Sequence, residues 1–193
     1  VAFPIALYMA KVASPRLQKI MVIAVLTPLW ASYLVKAYAW RAMFSATGPI
    51  AWAAQPFGLD TPGYGLPATV VTLAYLWLPY MVLPLYTGLT TLKPSVLDAS
   101  ADLGARPGRT LRTVVLPLLA PSMVAGSIFT FSLSLGDYIT VQLVGGTRQM
   151  LGNIVYQNFS ADLPFAAAVA TLPVLVMVGY LLAARRTGAL EQL

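Results

Sequence analysis

The side chains able to act on something outside the chain fall in two places. The first is a polar hinge, Leu97-Asp98-Ala99-Ser100-Ala101-Asp102-Leu103-Gly104, followed after nine residues by Val114-Val115-Leu116-Pro117. Ser95 and Asp98 have the S-x-x-D spacing of a capping box, in which side chains satisfy the free backbone N–H groups of a first helical turn. That spacing predicts a helix starting at Val96. Gly104 closes it, because glycine accepts the left-handed conformation of a helix end. Pro107 opens the next turn, where its missing N–H costs nothing. The product is a helix–glycine–helix elbow with Arg106, Arg109 and Arg112 on its second limb. Such a shape suits the transfer of force from a partner rather than the making of bonds.

The second place is Gly136-Asp137-Tyr138-Ile139-Thr140, continuing as Gln142-Leu143-Val144-Gly145-Gly146. Asp137 ends an apolar stretch and has no basic neighbour in sequence. A carboxylate at a pore mouth beside Tyr138 can hold a cation by charge and by the ring face; a solvated helix-end residue is the plainer reading. Upstream, Trp77 and Tyr80 sit among the prolines Pro79 and Pro84, while Ser122, Gly126, Thr130 and Ser134 recur every four residues on one helical face. Aromatic residues and small-residue stripes of this kind pack helices together or line a solute path, and spacing leaves both open. Enzyme chemistry is poorly provided for. The chain has no His and no Cys, which removes disulfides, thiol chemistry and His or Cys metal sites. It also lacks a G-x4-G-K-[ST] phosphate loop and paired carboxylates within its apolar stretches. The expectation is a non-enzyme with no catalytic residue, cofactor or metal.

The elements that must position these residues are membrane spans. Hydrophobic residues make up 59% of the sequence and charged ones 9%, outside the range of soluble domains. Ile20 to Val35, Thr61 to Leu92, Thr113 to Gly136 and Leu163 to Ala184 are free of charge. About 20 helical residues cross the hydrocarbon core at about 1.5 Å per residue, so each stretch can span if the first runs on to Trp40 with Lys36 snorkelling outward. Thr27-Pro28 predicts a kink in that first span. Tyr33, Tyr38, Trp40 and Arg41 form an aromatic belt at its end, and Ile50 to Ala54 makes a short interfacial helix in the loop 48–67. Val1 to Ala10 covers only half a bilayer and has no signal-peptide pattern, so it reads as the inner half of a span that begins upstream. The fold expected is an all-α polytopic helical bundle, N-terminally truncated, forming one domain over 1–193. Its spans lie at about 1–10 (half), 20–41, 66–90, 114–136 and 163–184, with a loop at 93–112. Of twelve cationic residues, Lys11, Arg16, Lys19, Lys93, Arg106, Arg109, Arg112, Arg185 and Arg186 occupy alternate loops, which the positive-inside rule puts in the cytoplasm. The net charge of +6 is therefore a topology signal and not a nucleic-acid footprint.

The hinge resembles the EAA loop of permease subunits from binding-protein-dependent ABC importers, whose pattern is E-A-A-x3-G-x9-I-x-L-P. Asp98, Ala99 and Ser100 stand at the E-A-A positions, Gly104 at the glycine, and Val114, Leu116 and Pro117 at I-x-L-P. Asp for Glu, Ser for Ala and Val for Ile keep the charge, size or shape class. Three strings look like the spermidine/putrescine branch: Thr27-Pro28-Leu29-Trp30 through Tyr38-Ala39-Trp40, Leu78-Pro79-Tyr80-Met81-Val82-Leu83-Pro84-Leu85-Tyr86, and the Gly136 to Gly146 segment. The resemblance implies a multi-pass bacterial inner-membrane permease in the lipid bilayer. Its implied partners are a second permease subunit, a cytoplasmic ABC ATPase dimer that hydrolyses the ATP, and a periplasmic or lipoprotein solute-binding protein. It implies ATPase coupling through Ser95, Asp98, Ala99, Ser100, Asp102, Gly104, Arg109, Leu116 and Pro117. Trp77, Tyr80, Thr130, Ser134, Asp137 and Tyr138 are the candidates for a substrate path on the residue reading above, and the resemblance makes polyamines the favoured solute. Related subunits carry iron, sulfate or amino-acid-like solutes. The competing class, an ion-coupled secondary transporter, places ionisable groups near the bilayer midplane, whereas Lys36 and Asp137 fall at span ends.

Overall fold

In a computed structural model, which describes residues 1–59 and 62–185, the chain is helical, with no strand among the described residues. Thr61 and Arg186, used in the span and charge assignments above, lie outside the described residues. The helices are α1 (Ala2–Lys11), α2 (Pro15–Trp30), α3 (Tyr33–Met43), α4 (Pro49–Ala54), α5 (Leu66–Thr91), α6 (Pro94–Asp102), α7 (Pro107–Thr110), α8 (Leu116–Leu135), α9 (Ile139–Val144), α10 (Leu151–Asn158) and α11 (Leu163–Arg185). Among the described residues, three continuous helical runs are long and apolar enough to cross a membrane: Leu66–Thr91, Pro107–Leu135 and Leu163–Arg185. A fourth exists only as the pair α2 and α3, bent by 97°.

The stretch from 20 to 41 is therefore a broken pair and not one kinked rod. Pro28 lies inside α2, and the chain turns beyond it at Ala31-Ser32. The break removes the helical N–H that would have reached the carbonyl of Pro28, an orphan acceptor of the kind every helix end must satisfy. Lys36 Nζ donates to that carbonyl at 2.9 Å. The ammonium that a straight span would send toward the interface closes a helix end instead.

The chain forms two compact units. The first contains Val1–Leu26, Leu78–Thr130 and the described residues from Gly179 to Arg185. Its core is Ala6, Met9, Val82, Leu85, Leu89, Val115 and Leu119, so α1 seats on the C-terminal half of α5 and the start of α8. Here α5 and α8 approach closely at two glycines. A Cβ on Gly88 would stand 2.9 Å from Ser122 Cβ, and one on Gly126 would stand 3.3 Å from the carbonyl oxygen of Tyr80. That carbonyl is the one to which Pro84, lacking an N–H, cannot donate. Ser122 and Gly126 thus serve close helix packing, one of the two uses their spacing allowed.

The second unit contains Thr27–Trp77 and Phe131–Val178, cored by Phe44, Ala68 and Val144 with Trp40, Ile50 and Leu143 against them. Trp40 packs inward on Phe44 and Tyr75, with ring centroids 5.8 and 5.2 Å apart, while Tyr38 stays exposed. Only part of the expected aromatic belt faces outward. The short helix expected near Ile50 forms as α4, with Ala51 buried and Trp52 75% exposed.

Candidate functional site

The elbow is built within the first unit. α6 begins at Pro94 with Lys93 at the N-cap, and no side chain makes a capping bond. The expected capping box at Ser95 and Asp98 does not form, and the helix does not start at Val96. Pro94 takes the N1 position because its φ is pre-set and it has no N–H to satisfy, which leaves Ser95 inside the first turn. At the other end Gly104 has φ +75°. Its N–H reaches the carbonyl of Ala101 at 2.8 Å, and the N–H of Ala105 reaches that of Ser100 at 3.1 Å. These paired bonds are a Schellman closure, which requires the left-handed residue. α7 then opens at Pro107 behind Arg106.

Ser100 is buried, and its hydroxyl lies 2.9 Å from that of Thr110, tying the two limbs together. After α7 the backbone widens into a π turn over Leu111–Val115, where Leu116 N–H bonds the carbonyl of Leu111. Sequence reasoning missed this turn. Pro117 is its signal: the ring cannot donate to the carbonyl of Thr113 and would clash with it in a regular helix. Val96, Ala99, Leu103, Arg109 and Thr113 help to line a groove of about 400 Å³ on the elbow. Asp98, Ala99, Asp102, Arg109 and Pro117 are exposed, and Leu116 is half-buried. Leu103 at the tip is 88% exposed. An apolar tip flanked by charges of both signs on a stiff turn can dock against another protein.

The Asp137 region is built within the second unit. Asp137 is not a solvated helix end, being 7% exposed. Its Oδ1 accepts the hydroxyl of Tyr33 at 2.6 Å and the N–H of Thr140 at 2.9 Å. Its Oδ2 accepts the Thr140 hydroxyl at 2.9 Å. From the position before the N-cap Tyr138, the carboxylate takes up a free N–H of the first turn of α9 and holds the first residue of α3, just past the α2–α3 break. Tyr33, Trp77, Leu133, Asp137, Tyr138 and Ile139 line a cavity of about 240 Å³. The rings of Tyr33 and Trp77 stack at 6.0 Å, and those of Tyr138 and Tyr156 at 4.4 Å.

Trp77, Asp137 and Tyr138 are thus brought to one cavity. Ser134 does not line it and instead receives the N–H of Asp137 on its carbonyl at 3.4 Å. Tyr80 and Thr130 belong to the other unit, where Tyr80 lies 6.5 Å from the ring of Phe129 and the Thr130 hydroxyl donates to the carbonyl of Gly126 at 3.1 Å. Tyr33 and Thr140 were missed as site residues, Tyr33 having been assigned to the belt. The D-x-x-T spacing of Asp137 and Thr140 is a helix-start signal that identifies Thr140; nothing local identifies Tyr33. Tyr33→Phe keeps the ring and deprives the carboxylate of one donor. It is expected to lower stability by about 1–3 kcal/mol, read from the unfolding midpoint of the purified protein.

A family profile described as "Binding-protein-dependent transport system inner membrane component" matches residues 2–186. The Inner membrane ABC transporter permease protein YdcU of Escherichia coli is 44% identical over 209 aligned positions, covering 100% of this chain and 67% of the relative. The Spermidine/putrescine transport system permease protein PotB of Salmonella typhimurium is 29% identical over 182, covering 91% of this chain and 63% of the relative. The chain therefore spans about two thirds of the length of these relatives. Among solved structures, a bacterial alginate ABC transporter in complex with an alginate pentasaccharide-bound periplasmic protein shares the fold. Its TM-score is 0.72 at 15% identity, over 97% of this chain and 70% of that one.

Proposed function

We propose a function from one premise: the chain belongs to the family of binding-protein-dependent transport system inner membrane components. It is a multi-pass membrane protein, and on our reading it forms the membrane-crossing subunit of an ATP-driven importer. The observation that carries this reading is the elbow. Its Schellman turn at Gly104, its Ser100–Thr110 tie and its exposed Leu103 support a docking role, since they close the turn and offer an apolar tip to a partner. A passive pore or an ion-coupled carrier has no use for such a projection. A partner ATPase would grip it on the cytoplasmic side, the side that the alternating basic loops favour. ATP hydrolysis then falls to that partner.

In this reading Ala99, Leu103 and Arg109 meet the ATPase, with Ser95, Asp98 and Asp102 exposed around them. Gly104 and Ser100 hold the elbow's shape. Leu116 and Pro117 begin the rod that carries motion into α8 across the π turn. A second permease subunit and a solute-binding protein complete the assembly. α11 is almost wholly exposed and is available to lipid or to the second subunit. Polyamine is the favoured solute. The likeness to PotB, a protein named for spermidine and putrescine, supports it, as does the Asp137 carboxylate among aromatic rings. The test is uptake of radiolabelled spermidine and putrescine into vesicles carrying this chain with its co-encoded ATPase, permease and binding protein. Uptake that requires both ATP and this chain is the expected result; accumulation that persists without ATP, driven by an ion gradient, would overturn it.

A further inference from the structure

The geometry points to the Asp137 cavity as a binding site, within this chain, for the ammonium end of an alkylamine. The inference rests on the importer reading above and narrows it from a solute class to one site. Asp137 is buried and receives three hydrogen bonds, all from neutral donors: the Tyr33 hydroxyl, the Thr140 N–H and the Thr140 hydroxyl. Hydrogen bonds from neutral groups orient a carboxylate without neutralising it. Lys36, one helical turn along α3 from Tyr33, is committed to the carbonyl of Pro28. The negative charge is left for a ligand.

The arrangement also selects which cation. Oδ1 takes two of the three bonds and Oδ2 takes one, so a carboxylate with about four lone-pair positions has its free acceptor on Oδ2. A guanidinium gripping both oxygens in parallel would have to displace a donor from Oδ1. A hard divalent ion wants about six or more oxygen ligands, whereas the cavity walls are the rings of Tyr33, Trp77 and Tyr138 with Leu133 and Ile139. An ammonium group needs one strong acceptor and gains from ring faces, and its alkyl chain suits the aliphatic wall.

The test is equilibrium binding of radiolabelled putrescine to the complete transporter in nanodiscs, without its solute-binding protein. Saturable binding is expected, displaced by n-butylamine and not by n-butanol. Asp137→Asn removes the charge and is expected to weaken binding by about ten- to hundredfold, the loss of one charged hydrogen bond. Ile139→Trp fills the cavity while leaving every bond to the carboxylate in place, and a comparable loss is expected; this variant decides the matter if Asp137→Asn does not fold. Wild-type affinity in Ile139→Trp, or equal displacement by n-butanol, overturns the site. Binding that follows these expectations in a transporter with no ATP-driven uptake overturns the importer reading and leaves the site standing. ATP-driven polyamine uptake with binding indifferent to the cavity variants does the reverse.

Discussion

Gly104→Val is expected to reduce ATP-driven uptake to background and to abolish solute-stimulated ATP hydrolysis, while the protein still inserts into the membrane in wild-type amount. At φ +75° the residue sits where side chains are rarely found, yet a Cβ there would meet nothing within 4 Å. The cost is therefore one of backbone conformation alone. A Cβ in the left-handed region costs about 1–2 kcal/mol, more for a β-branched residue. The chain can avoid that cost by giving up the Schellman bonds of Gly104 and Ala105, each contributing about 1 kcal/mol. Either way the elbow loses its angle. The core around Met9, Leu85 and Leu119 does not include Gly104, so insertion and global folding are spared. Gly104→Asn is the control, because asparagine tolerates the left-handed region; it is expected to retain most of the uptake. Wild-type coupling in the valine variant would remove the turn from the transmission of force.

What was legible in the sequence was local. Charge-free stretches betrayed the long apolar helices, because burial in lipid is a linear requirement on composition. Gly104 and Pro107 announced their turns because left-handed φ and a missing N–H are properties of single residues. Even locally, competition misled: Ser95 and Asp98 had the capping spacing, but Pro94 is the better first residue and took the helix start. The α2–α3 break carried no breaker at its own position. Pro28 stands inside α2, and the bend at Ala31-Ser32 is held from a distance, since Tyr33 donates to Asp137 across 104 positions of sequence. The same bond explains why Asp137 read as a helix end open to water and is instead buried. Trp40 was placed from its neighbours in sequence, whereas the ring it packs on, Tyr75, comes from another helix. The stripe of Ser122, Gly126, Thr130 and Ser134 was visible as spacing. Its use at Ser122 and Gly126 is decided by α5, which brings up Gly88 and the Tyr80 carbonyl.

That α5–α8 contact carries the second large effect, in which two damaging changes offset each other. Gly88→Val places a Cβ 2.9 Å from Ser122 Cβ and 3.0 Å from Leu119 Cδ2. The end of the leucine can turn away, but Ser122 Cβ is fixed to the backbone of α8, so the helices must part. Overpacking of this kind costs about 1–3 kcal/mol, and in a membrane the close approach of small residues is itself a main source of helix association. Ser122→Gly alone leaves a gap and weakens α8 by up to about 1 kcal/mol. Combined, the second change removes the atom the first collides with, so the double variant is expected to be more stable than Gly88→Val alone, with a coupling of about 1–2 kcal/mol. Unfolding midpoints of the four proteins in mixed micelles measure it directly. Strict additivity would mean that α5 and α8 do not meet at this pair, and the packing assigned to the small-residue stripe would fall with it.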